Sequence, residues 1–462
     1  MTQIIDWLPE PGEVVEFQLA ADRSPVPHDV PASYFQRAHL RLAAARRVDG
    51  QRQSPWVAMA FDLAGRADLD ALTDAWQGLV RRHEAFHTWY EPGTEDLPGF
   101  RLPPDSVTVH PVRVGDFTSA ADLRDHLHRR IDQQTSVGGP ALLAGVVRRD
   151  TASTVYVAID HAYTDGHSLA LLFDEIRTRY HAARGGVPID LAPVPGYLEY
   201  NRRERERAMS LTAAAPELAA WSRFLTAGDG GFPGFPVELG NHGHTLLPGT
   251  RIHHPVLSGA GARAFRAYCA RHGGGFAAGA FAALALAQWE FTGNDVYRVL
   301  TVVSTRTYPR LLPVHGWLVN FVPLLFRLPA APTFAGAIAA AQQGFQQARA
   351  AGEVPLHRAL ELLQDGRYAP LIPPMVSYLD GRGAPGSADY LRADATVLTG
   401  PDSASGVSLW FNWFPDRADL VVNMPDTPQA AKGVPQYLDR VKEIMLTAAA
   451  SASASAGAGP VP

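Results

Sequence analysis

The segment Asp160-His161-Ala162-Tyr163-Thr164-Asp165-Gly166 constrains this chain more than any other. It follows Thr154 to Ile159, where Val155, Val157 and Ile159 alternate as they would on a strand. It precedes a helix-period run that sets Leu169, Leu172, Phe173, Ile176 and Tyr180 on one side. A histidine therefore sits on a short, glycine-containing loop between a core strand and a helix. That position suits a general base, because rigid elements aim the imidazole while the loop leaves room for reactants.

With 462 residues, 46% of them apolar and 19% charged, the chain can bury more than one core and reads as two or three globular domains. A net charge of -5 gives no general attraction to phosphate backbones, so nucleic acid is not an expected partner. Lys432 and Lys442 are the only lysines and both lie near the C-terminus, which makes Schiff-base chemistry improbable. The single cysteine, Cys269, excludes an intramolecular disulfide or a thiolate metal cluster and reads as core filler. Neither a secretory leader nor a run of ~20 apolar residues is evident, so a cytoplasmic chain without a membrane span is expected.

The first ~200 residues read as an α/β unit: a strand at Trp56–Leu63, a helix capped by Asp68, a helix through Leu123 to Ile131, then the histidine loop. Gly185-Gly186-Val187-Pro188 and Pro193-Val194-Pro195-Gly196 mark a boundary between about 185 and 215. The second half repeats the style. A strongly apolar helix spans Phe276–Phe291 and a strand Val296–Ser304. Helices follow at 335–350 and 356–364, then strands near 375–379 and 409–414, and an amphipathic helix through Tyr437 to Met445. The Ser-Ala-Ser-Ala tail from 451 to 462 is expected to be disordered.

Several motifs mimic other chemistries. Gly166-His167-Ser168-Leu169-Ala170 lacks the last glycine of a hydrolase elbow, and Ser168 reads better as a helix cap. Gly259-Ala260-Gly261 lacks the acidic residue a dinucleotide site needs ~20 positions on. His253-His254 is followed by Pro255, as at a turn or strand start. His161, Asp165 and His167 could ligate a metal by type alone, but no supporting ligand pattern surrounds them, and no metal is expected.

The loop resembles the HHxxxDG signature of the condensation-domain superfamily, which includes nonribosomal-peptide condensation domains and polyketide-associated acyltransferases. Three further segments resemble that family in its order. They are Phe61-Asp62-Leu63 to Arg82-His83-Glu84-Ala85-Phe86, Thr292-Gly293-Asn294-Asp295 to Ser304-Thr305-Arg306, and Gly316-Trp317-Leu318-Val319-Asn320-Phe321-Val322-Pro323-Leu324. There are two departures. Asp160 stands where the signature has its first histidine, and no DFGWG-like motif is recognisable near Phe411-Asn412-Trp413-Phe414-Pro415.

The resemblance implies an α/β fold of two chloramphenicol-acetyltransferase-like lobes, mixed sheets flanked by helices, in a V-shaped pseudo-dimer with a central tunnel. The lobes would cover residues 1–195 and 215–450. It implies His161 as general base, with Asp165 and Gly166 completing the catalytic set. Asp165 would fix the loop by pairing with Arg306. Gly166 permits close backbone approach, so its N–H can face an oxyanion, or the glycine serves simple turn geometry. Tyr163, Trp317 and Asn320 would line the substrate path, with Asn320 equally suited to tying down its loop, and Asp160 and Arg306 would support the site. No cofactor is implied beyond a 4'-phosphopantetheine thioester on the donor, held by an acyl or peptidyl carrier protein or by coenzyme A. The acceptor would be a small-molecule hydroxyl or amine. Natural-product assembly is the favoured setting, complex-lipid acylation the alternative, and an epimerase-like or non-catalytic docking role the remaining rivals.

Overall fold

The computed structural model describes residues 1–48, 55–91, 97–135, 139–228, 231–241, 245–364 and 373–457. Two seven-stranded mixed sheets dominate them. The first runs in the order Thr2–Gln3, Thr396–Thr399, Trp56–Ala64, Ala152–Asp160, Leu142–Arg148, Glu13–Ala21, Val107–Asp116. Its pairs are antiparallel except that of Thr2–Gln3 with Thr396–Thr399. The second runs Val319–Arg327, Val296–Ser304, Val376–Asp380, Ser408–Trp413, Arg417–Pro425, Leu247–Ser258, Ser403–Ala404.

The strand that ends at the histidine loop is central to the first sheet and buried from Ser153 to Asp160. Val155, Val157 and Ile159 pack under Leu72, Trp76 and Leu79 of the helix Leu69–Arg82 and under Leu169, Phe173 and Ile176 of the helix Gly166–Arg184. Tyr156 and Ala158 face Leu123, Leu127 and Ile131 of the helix Ala120–Gln134. Each large apolar side chain so buried contributes ~1.5–3 kcal/mol, so the loop hangs from the buried centre of this half. Asp68 caps its helix by accepting from the Ala71 N–H at 3.1 Å.

In the second half Val296–Ser304 pairs with Val319–Arg327, Ser304 opposite Val319, so residues 305–318 form their connection. Leu409, Phe411 and Trp413 pack on Phe281, Leu284, Leu438 and Val441. The seam between the halves is apolar. Phe35, from the helix Tyr34–Val48, is 4.9 Å from Phe321 and 5.5 Å from Trp317, ring to ring.

Three expectations change. The stretch read as a boundary holds a helix, Tyr197–Ser210, with Tyr197, Tyr200 and Asn201 buried. Its dense charge, Arg202 to Arg207, masks that inward face in the sequence. The tail expected to be disordered from Ser451 instead continues the last helix to Gly457, since alanine needs no burial to favour a helix; residues 458–462 lie outside the described residues. Thr396–Thr399 leaves the second half to pair with Trp56–Ala64 of the first sheet, so the halves share a strand ladder.

Candidate active site

Asp160 is the last residue of its strand and His161 opens a single 3-10 turn, His161–Tyr163, before Asp165 caps the helix Gly166–Arg184. The turn is fixed at every position. The His161 N–H donates to the Pro55 carbonyl at 2.7 Å. Asp160 Oδ1 accepts from the Ala162 N–H at 2.8 Å. The Ala162 carbonyl accepts from Gln36 Nε2 at 2.8 Å and from the Tyr197 hydroxyl at 3.4 Å.

Arg306 anchors the loop from across the seam. Its guanidinium donates to both Asp165 oxygens, at 2.7 and 3.1 Å, to Ser168 Oγ at 2.8 Å and to the Val314 carbonyl at 3.1 Å. Asp165 also accepts from the N–H groups of Ser168 and Leu318, at 2.8 and 2.9 Å. Burial alone would raise the Asp165 pKa, but the charge and hydrogen bonds of Arg306 outweigh it and bring the group below its ordinary value. Both oxygens are therefore committed to holding the fold. Asp165, grouped with the catalytic residues from sequence, has no lone pair aimed at a reactant. Ser168, expected as the cap, is instead the third residue of the helix, and its hydroxyl accepts from the Gly316 N–H at 3.1 Å.

The same clamp carries Trp317 to the histidine. Gly316 has φ of +154°, and a Cβ there would meet the Tyr197 ring at 2.5 Å, so only glycine fits. The Trp317 N–H then donates to the Tyr197 hydroxyl at 3.1 Å. The indole lies 4.3 Å from the His161 ring and 5.5 Å from that of His39, ring to ring.

His161 is partly exposed. Its Nδ1 is buried and unpaired, while Nε2 is neither buried without a partner nor hydrogen-bonded to a described residue. Nε2 is thus the nitrogen open to a reactant. Burial, with His39 second, lowers the His161 pKa to about 4, so the ring is neutral at pH 7. Gly166 begins the helix with nothing within 4 Å of where a Cβ would stand, leaving open space beside the loop.

Other expected residues take structural places. Tyr163 is 3% exposed, and its hydroxyl accepts from the Tyr90 N–H at 2.9 Å, turned into the core. Asn320 donates to the carbonyls of Gly352 and Val354, at 3.2 and 2.6 Å, and accepts from the N–H groups of Phe321 and Leu356, at 2.9 and 3.1 Å. All its capacity goes into tying that loop down. Asp160 supports the turn, and does so together with His39, whose Nε2 lies 3.1 Å from Asp160 Oδ1. Sequence reading missed His39 and Gln36; the helix that bears them has polar residues on its inward face, which breaks the apolar stripe.

The early Arg82-His83-Glu84 run braces the helix behind the loop. His83 Nε2 meets Glu175 at 2.9 Å, and Arg82 and Arg179 donate to the same carboxylate. Burial pushes Glu175 up, yet His83 and Arg179 together hold it down at about 2. On the adjacent helix, burial raises Glu204 to about 7, although it accepts from the Tyr34 N–H at 2.9 Å. A cavity of ≈ 290 Å³ lined by His28, Glu84, Arg101, Leu198, Glu199 and Arg202 shares no lining residue with the histidine loop. Burial raises the Cys269 thiol to about 12, which leaves it unreactive. His253 lies mid-strand and pairs with Asp419 at 3.0 Å.

The site is a neutral histidine on a clamped strand-to-helix turn, at a seam between two mixed sheets flanked by helices. Comparison with known proteins gives the chain a family. The Condensation domain family matches residues 28–384, and the chain belongs to it. Curated relatives include trehalose-2-sulfate acyltransferase PapA2 of Mycobacterium tuberculosis, 29% identical over 97% of both chains. Acyltransferase PapA3 of the same organism is 26% identical over 96% of this chain and 95% of that protein. Among solved structures, PapA2 acyl transferase superposes with a TM-score of 0.88 at 27% identity, covering 97% of this chain and 99% of that one. The condensation domain of the Monacolin K polyketide synthase MokA shares the fold at 0.70 and 18% identity, covering 92% and 98%. Among the described residues no helix is long and apolar enough to cross a membrane.

Proposed function

We propose that this acyltransferase moves an acyl group from a pantetheine-type thioester to a hydroxyl of a polar, sugar-like acceptor in the assembly of a complex lipid, with His161 as the general base. The observation that carries the reading is the open Nε2 of a histidine kept neutral by burial and braced against Trp317. Neutral His161 takes the acceptor's proton as its oxygen attacks the thioester carbonyl. Such help is worth ~10²–10⁴-fold. The tetrahedral oxyanion would be met by N–H groups at the start of the helix Gly166–Arg184, where the open space beside Gly166 admits it. Collapse expels the thiolate. No acyl-enzyme is needed, because two substrates meet in one cleft.

The preference for natural-product assembly gives way to lipid assembly here. PapA2 and PapA3 are named as acyltransferases, and PapA1 of Mycobacterium bovis, 28% identical over 97% of this chain, as a 2'-acyl-2-O-sulfo-trehalose (hydroxy)phthioceranyltransferase. Those names support a hydroxyl acceptor. The donor is either a carrier protein or coenzyme A.

The test offers purified protein a panel of coenzyme A and carrier-bound acyl thioesters with disaccharide, simple alcohol and amine acceptors, scored by product mass. Ester formation that His161→Ala reduces by ~10²-fold or more is expected. Transfer only to amines would overturn the acceptor, and undiminished transfer by His161→Ala would overturn the mechanism.

A further inference from the structure

Asp160 stands where the family signature has a histidine, and the structure gives its carboxylate a histidine partner from elsewhere. The two imidazoles of the site are held differently. His161 has no carboxylate on its buried Nδ1. His39 has one: its Nε2 lies 3.1 Å from Asp160 Oδ1, and because a carboxylate only accepts, that nitrogen carries a proton. The carboxylate is fixed by the Ala162 N–H at 2.8 Å, and the helix bearing His39 is fixed by Gln36, one turn earlier, at the Ala162 carbonyl. His39 is thus oriented as acid–base histidines are, by a third group. Its side chain keeps 13% exposure. Its Nδ1 makes no hydrogen bond to a described residue and is not among the buried unpaired atoms.

Resting on the acyl-transfer reading above, we propose that His39, held by Asp160, is a second proton-transfer residue that protonates the departing thiolate while His161 deprotonates the acceptor. The two rings lie 6.1 Å apart, centroid to centroid, against the same indole. A proton-transferring nitrogen sits ~2.6–3.2 Å from its partner atom, and attacking and leaving atoms flank one carbon. A bent arrangement of oxygen, carbon and sulfur spans that gap. Of the two rings His39 alone has a counter-ion for the charge a proton donor carries, and His161 alone is without one, which divides acid from base. After burial, His39 is also the next cause that holds His161 low.

The step balances. The acceptor oxygen forms its bond to the carbonyl carbon as its proton passes to His161. The carbon–sulfur bond breaks with its electron pair on sulfur, and sulfur takes a proton from the His39 imidazolium. Transfer of the proton from His161 back to His39, directly or through water, restores both rings.

The experiment varies the leaving group. Coenzyme A and thiophenyl esters of one acyl chain are compared in wild type, His39→Gln, Asp160→Asn and His161→Ala. The thiophenolate leaves without a proton. His39→Gln, which keeps a donor for Asp160, is expected to lose ~10²-fold in kcat on the coenzyme A ester and little on the thiophenyl ester. Asp160→Asn, which keeps the cap on Ala162, is expected to show the same selectivity, and the double variant no further loss. Activity on the thiophenyl ester also shows that the variants fold. Equal loss on both donors makes His39 a structural tie and overturns the proposal, as does no loss on either. His161→Ala is expected to fail on both donors. A wild type that transfers from neither ester, nor from the carrier-bound thioester of the same acyl chain, would sink the acyl-transfer reading itself.

Discussion

The proposed base, His161, can take a proton only when unprotonated, and its burial decides over what range that holds. With the folded pKa lowered to about 4 against an ordinary 6.5, the unfolded chain binds the proton first as pH falls. The ring's contribution to stability is therefore complete above about 6.5 and is lost as pH falls towards about 4. In the proposed mechanism the acid limb follows the folded value: kcat/KM should fall as pH drops through about 4, read from a pH–rate profile. A limb at ~6.5 would mean a ring in free contact with water. Asp165 belongs to the opposite case, a group that must stay charged. Asp165→Ala leaves the Arg306 guanidinium buried without its counter-ion and should cost ~3–5 kcal/mol in urea denaturation. The double variant Asp165→Leu with Arg306→Met should recover much of that loss. The Asp165–Arg306 pair was legible because two segments resembling the family's carry its partners. Asn320 was legible with two roles, of which its hydrogen bonds match the loop tie, and Tyr163 as a residue but not as a role, since nothing in sequence says which way a side chain on a turn points. His39 could not be seen, because its partner lies 121 positions away.

Two glycines separate what the loop needs for folding from what it needs for substrate. Gly316→Ala forces a Cβ into the Tyr197 ring and a side chain onto φ of +154°, and overpacking of that kind costs ~1–3 kcal/mol. Tyr197 also holds Trp317, so melting temperature and kcat should fall together. Gly166→Ala meets empty space, so thermal unfolding should be unchanged while kcat/KM drops as the methyl enters the substrate's approach. A loss of stability at Gly166 would show that the glycine serves the turn instead. The elements behind the site were readable where one face is apolar: the helix Leu69–Arg82, the strand Ala152–Asp160 and the strand Val296–Ser304 match their expected positions closely. The helices Tyr34–Val48 and Tyr197–Ser210 went unread. They turn Gln36, His39 and Asn201 towards the loop, and polar residues on an inward face erase the periodicity that reveals a helix.

At the scale of the molecule, the strand ladder between Thr396–Thr399 and Trp56–Ala64 ties the halves by backbone hydrogen bonds. A fragment of residues 1–215 would expose the edge of Trp56–Ala64, and such an edge invites aggregation. Expressed alone the fragment should be insoluble, and co-expression with residues 216–462 should recover it, as judged by size-exclusion chromatography. That crossing strand was beyond sequence reading, since register between distant segments leaves no local mark. The Arg306 clamp has a further consequence. It joins residues 141 positions apart, and bringing such distant segments together exacts an entropic toll that only docked halves repay. A refolding chain can complete the second sheet and all but the crossing edge of the first beforehand, and still hold no working catalyst. Recovered turnover is then the clock for the final docking event, lagging every signal that reports secondary structure.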